Sequence, residues 1–199
     1  MPGLLPSTTV ADPRSGALHG ATGRYEKRFS DLRGLFLDEA ALARRIEETN
    51  DAVAYAVEEF RPSERAGDLI FGVSTLQAGQ IGREFAMTRG HLHARSDRPE
   101  IYYCQSGHGL MLMEQVDGTV EVAEMRPQSI VYVAPHWIHR SVNVAAVPLV
   151  TVFCYPADAG QDYDIIARAG GMRVLIVPDK QGGWQQEPNP RYRLRNAAP

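Results

Sequence analysis

Thr88-Arg-Gly-His-Leu-His-Ala-Arg-Ser-Asp-Arg-Pro-Glu-Ile-Tyr-Tyr103 is the stretch that decides how this chain folds, and it holds His91, His93 and Glu100. In a strand, residues two apart point to one face, so His91 and His93 present their imidazoles side by side. Glu100 has the opposite parity, and a straight strand would turn it away. Ser96-Asp-Arg-Pro99 is turn chemistry, however, and a bend there brings Glu100 back to face the histidines. Two histidines in this spacing are often no more than the polar face of a strand. The carboxylate after them, and a second segment, Pro135-His-Trp-Ile-His139 with Asn143 behind it, favour a metal instead. Imidazole and carboxylate suit a divalent first-row transition ion, and fewer than six protein ligands leave positions for substrate or water. His91, His93, Glu100 and His139 are the expected ligands.

Outward from this stretch the period is two. Val53, Tyr55 and Val57 alternate with small or polar residues, and Leu69–Leu76 reads as a strand. Glu84–Met87, Leu110–Met113, Thr119–Ala123, Ser129–Val133, Pro148–Tyr155 and Met172–Val177 follow, with Asp117-Gly118 as a hairpin turn. One helix is expected, over Asp38–Asn50, with Asp38 as its cap and Leu42 and Ile46 one turn apart. Many short strands divided by turns predict an all-β sandwich or barrel. A jelly roll would carry the 91–103 and 130–143 strands onto one inner face. Residues 1–23, rich in Pro, Ser, Thr and Gly without periodicity, read as a loosely held arm. Residues 24–181 read as the folded domain and 182–199 as a peripheral tail.

The 199 residues fit one domain with decorations, and 44% hydrophobic content is enough for a core. A net charge of −3 argues against nucleic-acid or membrane-surface binding, and no apolar run is long enough to span a bilayer. The first residues lack the basic flank and apolar core of a signal peptide. Cys104 and Cys154 sit in apolar runs, as small hydrophobes of a reduced, cytoplasmic protein would.

Gly90, His91, His93, Glu100 and Gly107, followed by Pro135, His139 and Asn143, resemble the two motifs of a cupin. The chain departs from that pattern at Gln128 and Trp137, where glycines are common. Met87–Tyr102, Val131–Asn143 and Tyr155-Pro-Ala-Asp-Ala-Gly-Gln-Asp-Tyr163 resemble more narrowly the archaeal-type glucose-6-phosphate isomerases of the cupin kind. The resemblance implies a double-stranded β-helix (a jelly-roll barrel) with one N-terminal helix, a homodimer, and one iron, manganese, nickel or zinc ion per chain. It implies a phosphorylated hexose as substrate, with Ser74, Thr88, the Gly90 backbone and Tyr155 at the phosphate. Tyr55, Tyr102 and Tyr163 would line the pocket. Glu100 would be the base that moves a proton between C1 and C2, or a metal ligand only. Ser74 stands for the family's threonine and Gln161 for a histidine that faces the sugar. Arg83, Arg89, Arg95 and Arg98 read as a local positive field suited to an anionic sugar, or as a solvated loop. Three histidines and a glutamate would equally serve an iron-dependent oxygenase, and a sugar-binding cupin without turnover is the third reading. Glucose and mannose phosphates are not told apart by these residues.

Overall fold

The computed structural model describes residues 8–195. In chain order its strands begin with β1 (Gly23–Arg28), β2 (Val53–Phe60), β3 (Leu69–Leu76), β4 (Gln80–Ile81) and β5 (Glu84–Met87). Then come β6 (Leu92–His93), β7 (Glu100–Ser106), β8 (Gly109–Glu114), β9 (Val120–Met125) and β10 (Ile130–Val133). The last are β11 (Ile138–Asn143), β12 (Leu149–Pro156), β13 (Gln161–Asp162), β14 (Val174–Pro178) and β15 (Trp184–Pro188). Helix α1 spans Glu39–Glu48 and the single turn α2 spans Ile165–Arg168. The Asp38 carboxylate caps α1 by accepting the Ala41 N–H at 2.8 Å, and Leu42 buries the helix on the barrel.

Six strands form one antiparallel sheet in the order β1-β2-β3-β12-β7-β10, and five form the other as β4-β5-β11-β8-β9. The insertion of β12 between β3 and β7, and of β11 between β5 and β8, is the crossing pattern of a jelly roll. The expected cupin barrel is what forms. Register then decides what points inward. Tyr25 pairs with Val57, Val57 with Ser74 and Ser74 with Thr151, while Gly72 pairs with Phe153 and Phe153 with Tyr102. The pleat keeps each row on one face, so these side chains line the interior of the six-stranded sheet. On β7 the alternation is plain: Glu100, Tyr102 and Cys104 are buried, and Ile101 and Tyr103 are exposed.

The five-stranded sheet is covered on both faces, and β5, β8 and β11 are buried at every position. Its outer cover comes from the chain's C-terminal part. β14 and β15 form a hairpin, and Met172 and Ile176 share a small cavity with Leu112 and Val142. Arg195 forms a buried ion pair with Glu114, and its Nη2 donates to the Gly171 carbonyl at 2.9 Å. Of the described residues after 182, Asn189 and Arg195 are buried and most of the others are exposed, so the segment read as a peripheral tail is anchored at those two points. The N-terminal segment is docked as well. Leu18 is buried with Val73 and Val150 on the outer face of the six-stranded sheet. The Gln105 amide donates to the Ala11 carbonyl and the Ser106 hydroxyl to the Pro13 carbonyl. The first seven residues of the arm and the last four of the tail lie outside the described residues.

Candidate active site

His91, His93, Glu100 and His139 converge, with one ligand atom from each lying within 4.8 Å of the others. The bend read from Ser96–Pro99 does what parity requires. β6 ends at His93, β7 starts at Glu100, and Glu100 Oε2 lies 3.2 Å from His93 Nε2. The same oxygen lies 3.0 Å from His139 Nε2 and 3.8 Å from His91 Nε2. His139 comes from β11 in the opposite sheet, so the cluster spans the barrel rather than sharing one inner face. An isolated bridge between His91 and His139, with His91 N–H donating to the His139 carbonyl at 3.0 Å, fixes the two segments together. Gly90 makes the approach possible. Its φ is +73°, and a Cβ there would meet the His139 carbonyl oxygen at 2.7 Å.

The donor set fits a cation. A carbonyl can only accept, so His93 Nδ1–H donates to Arg98 O at 2.7 Å and His139 Nδ1–H donates to Trp137 O at 3.2 Å. In the neutral rings each Nε2 then turns a lone pair toward a carboxylate that also offers lone pairs. His91 Nε2 is buried with no hydrogen-bond partner at all. Four acceptors facing one point call for positive charge between them, supplied by an ion or by protonated imidazoles. Burial and the charge of His139 push His91 well below the usual histidine range. For His93, burial works downward and is the largest single effect, but the hydrogen bond and charge of Glu100 and the Arg98 carbonyl together outweigh it and the net shift is upward. Burial raises Glu100, yet hydrogen bonds from His139 and His93 overcome it and hold the carboxyl below its ordinary range.

The cluster lies in a cleft of about 650 Å³, open solvent at its mouth included. Every further residue expected there lines it. Tyr55, Ser74 and Tyr155 come from β2, β3 and β12, Thr88 and Gly90 from the segment before β6, Tyr102 from β7, and Gln161 and Tyr163 from β13 and the residue after it. His91, Glu100 and His139 line the same cleft, and His93 sits just behind it at 3% exposure. The Tyr163 ring lies 5.6 Å from His91 and the Tyr155 ring 5.6 Å from His93. Thr88 N–H donates to Ser141 O at 2.9 Å, and Ser141 N–H donates to Thr88 Oγ1 at 3.1 Å, which leaves the Thr88 proton to give. Burial pushes Tyr55 and Tyr155 up to about 12, so both phenols stay protonated near neutrality.

Two readings of charge change. Arg83, Arg89, Arg95 and Arg98 do not form a field over the site, because carboxylates neutralise each of them. Arg83 pairs with Glu187, Arg89 with Asp164, and both Arg95 and Arg98 with Asp158. The arginines that line the cleft are Arg61 and Arg140, and Tyr25, Glu59 and Ser141 line it beside them. Arg140 is buried, and burial lowers it to about 10. Its Nη2 donates to the Arg89 carbonyl, which holds the turn before Gly90 and His91. Sequence reading missed these residues. Ser141 was within reach, two positions from His139 on one strand face. Glu59 was within reach in the same way, on the face of Tyr55 and Val57, whereas Tyr25 could be found only once β1 was in register with β2.

The model of the glucose-6-phosphate isomerase family matches residues 26–193. A glucose-6-phosphate isomerase of Sinorhizobium medicae is 55% identical over 193 residues, covering 97% of this chain and 90% of that protein. One from Thermococcus gammatolerans is 41% identical over 181 residues, covering 91% of this chain and 93% of its own. Among the three readings that a cupin ligand set leaves open, these matches select the isomerase, and with its barrel, its cleft and its motifs the chain belongs to the cupin-type glucose-6-phosphate isomerase family.

Proposed function

We propose that the chain is a metal-dependent isomerase that interconverts glucose 6-phosphate and fructose 6-phosphate at the cluster of His91, His93, Glu100 and His139. The observation that carries this is the convergence of three imidazole nitrogens and one carboxylate at the floor of a hydroxyl-lined cleft. A divalent iron, manganese, nickel or zinc ion held by these four residues would supply Lewis acidity toward the O1 and O2 oxygens of the sugar. Glu100 carries the proton between C1 and C2. Its carboxylate is buried at the floor of the cleft, where it can accept a proton from the sugar and return it, though it would be a weaker base while it also holds the ion. Tyr102 lines the cleft two positions along β7 from Glu100, and it stays protonated because burial raises it well above its usual range. Away from the cluster, the Ser74 and Thr88 hydroxyls and the Gly90 backbone receive the phosphate, and Tyr55, Gln161 and Tyr163 hold the sugar between the two ends. Tyr155, which the resemblance puts at the phosphate, is read instead as a sugar contact because its ring lies 5.6 Å from the His93 ring.

A homodimer in the cytoplasm is part of this reading. On the outer face of the six-stranded sheet, Ile101 pairs with Tyr132 and Tyr103 with Ile130, and all four are exposed. An apolar cross-strand patch of this kind is what a second copy would cover. Both cysteines are free thiols, which supports a reducing compartment.

The site assignment is tested by metal content and by turnover together. Purified protein should carry up to about one transition-metal ion per chain, and His91→Ala or His139→Ala should lower that content. Glu100→Gln should lose far more in kcat than in substrate affinity. Full metal retention in both histidine variants, with an unchanged rate for Glu100→Gln, contradicts the assignment.

A further inference from the structure

Glu59 and Arg61, at the end of β2, line the cleft, and the isomerase reading leaves both without a role. Arg61 Nε donates to Glu59 Oε1 at 2.9 Å, and Arg61 Nη2 donates to the Tyr155 hydroxyl oxygen at 3.3 Å. This is not a loose surface pair. The Glu59 side chain is 12% exposed, and its backbone stands opposite Gly72, where a Cβ would meet Phe153 Cζ at 2.5 Å. Glycine at that place lets the Phe153 ring lie close to the sheet, and Phe153 stacks on Tyr155 with centroids 5.8 Å apart. Tyr155 is thus held by a ring on one side and a guanidinium on the other, within 5.6 Å of the His93 ring.

A phenol oxygen has one proton to give and lone pairs to receive with. Arg61 approaches that oxygen as a donor, so the Tyr155 proton cannot point at Arg61 and must be given elsewhere. Gln161 lines the same cleft, on the strand paired with His93. We infer that Glu59 and Arg61 are a positioning pair that fixes Tyr155 as a hydrogen-bond donor to the sugar beside the histidine cluster. The inference rests on the isomerase reading of the same cleft. Arg61 sets the direction of the hydroxyl, and Glu59 keeps Arg61 from turning out to water. A donor already aimed at an oxygen that gains negative charge during the reaction stabilises the transition state more than the bound sugar. Arg61 itself need not touch the substrate.

A double-mutant cycle separates this from a general structural role. Wild type, Arg61→Met, Tyr155→Phe and the double variant are assayed, metal-loaded, with fructose 6-phosphate, and kcat and KM are measured separately. Each single change should lower kcat by roughly ten- to a hundredfold with KM moved less than about threefold. The double variant should be within about twofold of Tyr155→Phe, because the arginine has nothing left to orient. Arg61→Lys, which keeps a donor, should recover part of the loss, and Glu59→Gln should fall between it and Arg61→Met. Metal content and thermal midpoint, followed in parallel, should stay near wild type, since Arg61 is a third exposed. Multiplicative losses in the double variant, or an effect of Arg61→Met on KM alone, overturn the inference and leave the isomerase reading intact. A wild type that turns over no phosphohexose overturns both.

Discussion

Gln161 pairs with His93 across the short β6–β13 ladder and lines the cleft, at the position where the family resemblance implies a histidine. Histidine donates, accepts and titrates near neutrality, whereas glutamine does only the first two. Glu100 already provides an ionised carboxylate at the cluster, so a hydrogen-bonding role is enough for residue 161. Gln161→His should therefore change kcat by much less than a hundredfold across pH 6 to 8, the general acid–base scale being roughly a hundredfold or more. A larger gain would show that the proton carrier is missing here. At this scale much of the site was legible. Parity placed His91 with His93, and turn chemistry predicted the return of Glu100, because both depend only on local backbone geometry. Gln128 was readable as a departure from glycine but not as a strained one. Its φ is +77°, in the left-handed region that disfavours a side chain. His136, not Trp137, takes the other left-handed position, at +71°.

Elements differed more from their sequence signals where neighbours, rather than pattern, make the strand. β1 reads Gly-Arg-Tyr-Glu-Lys-Arg and is an edge strand with no buried position, so it has no alternation to detect. Its one cleft residue, Tyr25, gains its place from pairing with Val57. β15 reads Trp-Gln-Gln-Glu-Pro and exists because β14 lies beside it. Likewise the arginines near the motif looked like a field because their partners, Asp158, Asp164 and Glu187, are distant in sequence. The C-terminal cover gives a direct test. The Glu114 side chain is 0% exposed and Arg195 is its charged partner. Its other oxygen accepts the Arg173 N–H at 2.8 Å. Arg195→Ala strands a buried carboxylate, a change that costs about 3–5 kcal/mol. The thermal midpoint should fall by roughly ten degrees or more, whereas Arg83→Ala, on an exposed pair, should move it by little. Equal midpoints for wild type and Arg195→Ala would mean that the tail is not part of the folded unit.

Taken whole, the molecule is a barrel whose inner face is chemical. The outside of its six-stranded sheet is charged at β1 and β2, by Arg24, Glu26 and Glu58, and largely apolar from β3 to β10. Leu18 of the N-terminal segment covers Val73 and Val150, and among the described residues the β7–β10 edge is left open, with Ile130 68% and Tyr132 59% exposed. If a second copy covers that edge, Ile130→Lys combined with Tyr132→Glu should give monomers by sedimentation with the barrel still folded, and a mass equal to wild type would move the interface elsewhere. At this scale we propose that positive charge held by His91, His93, Glu100 and His139 makes the isomerisation possible. The measurement that bears on it most directly is a coupled assay with fructose 6-phosphate on protein as purified, after chelation, and after a divalent transition metal is returned. Activity should vanish on chelation and return on addition of metal, with His139→Ala unable to recover it. Full activity in demonstrably metal-free protein would contradict the account.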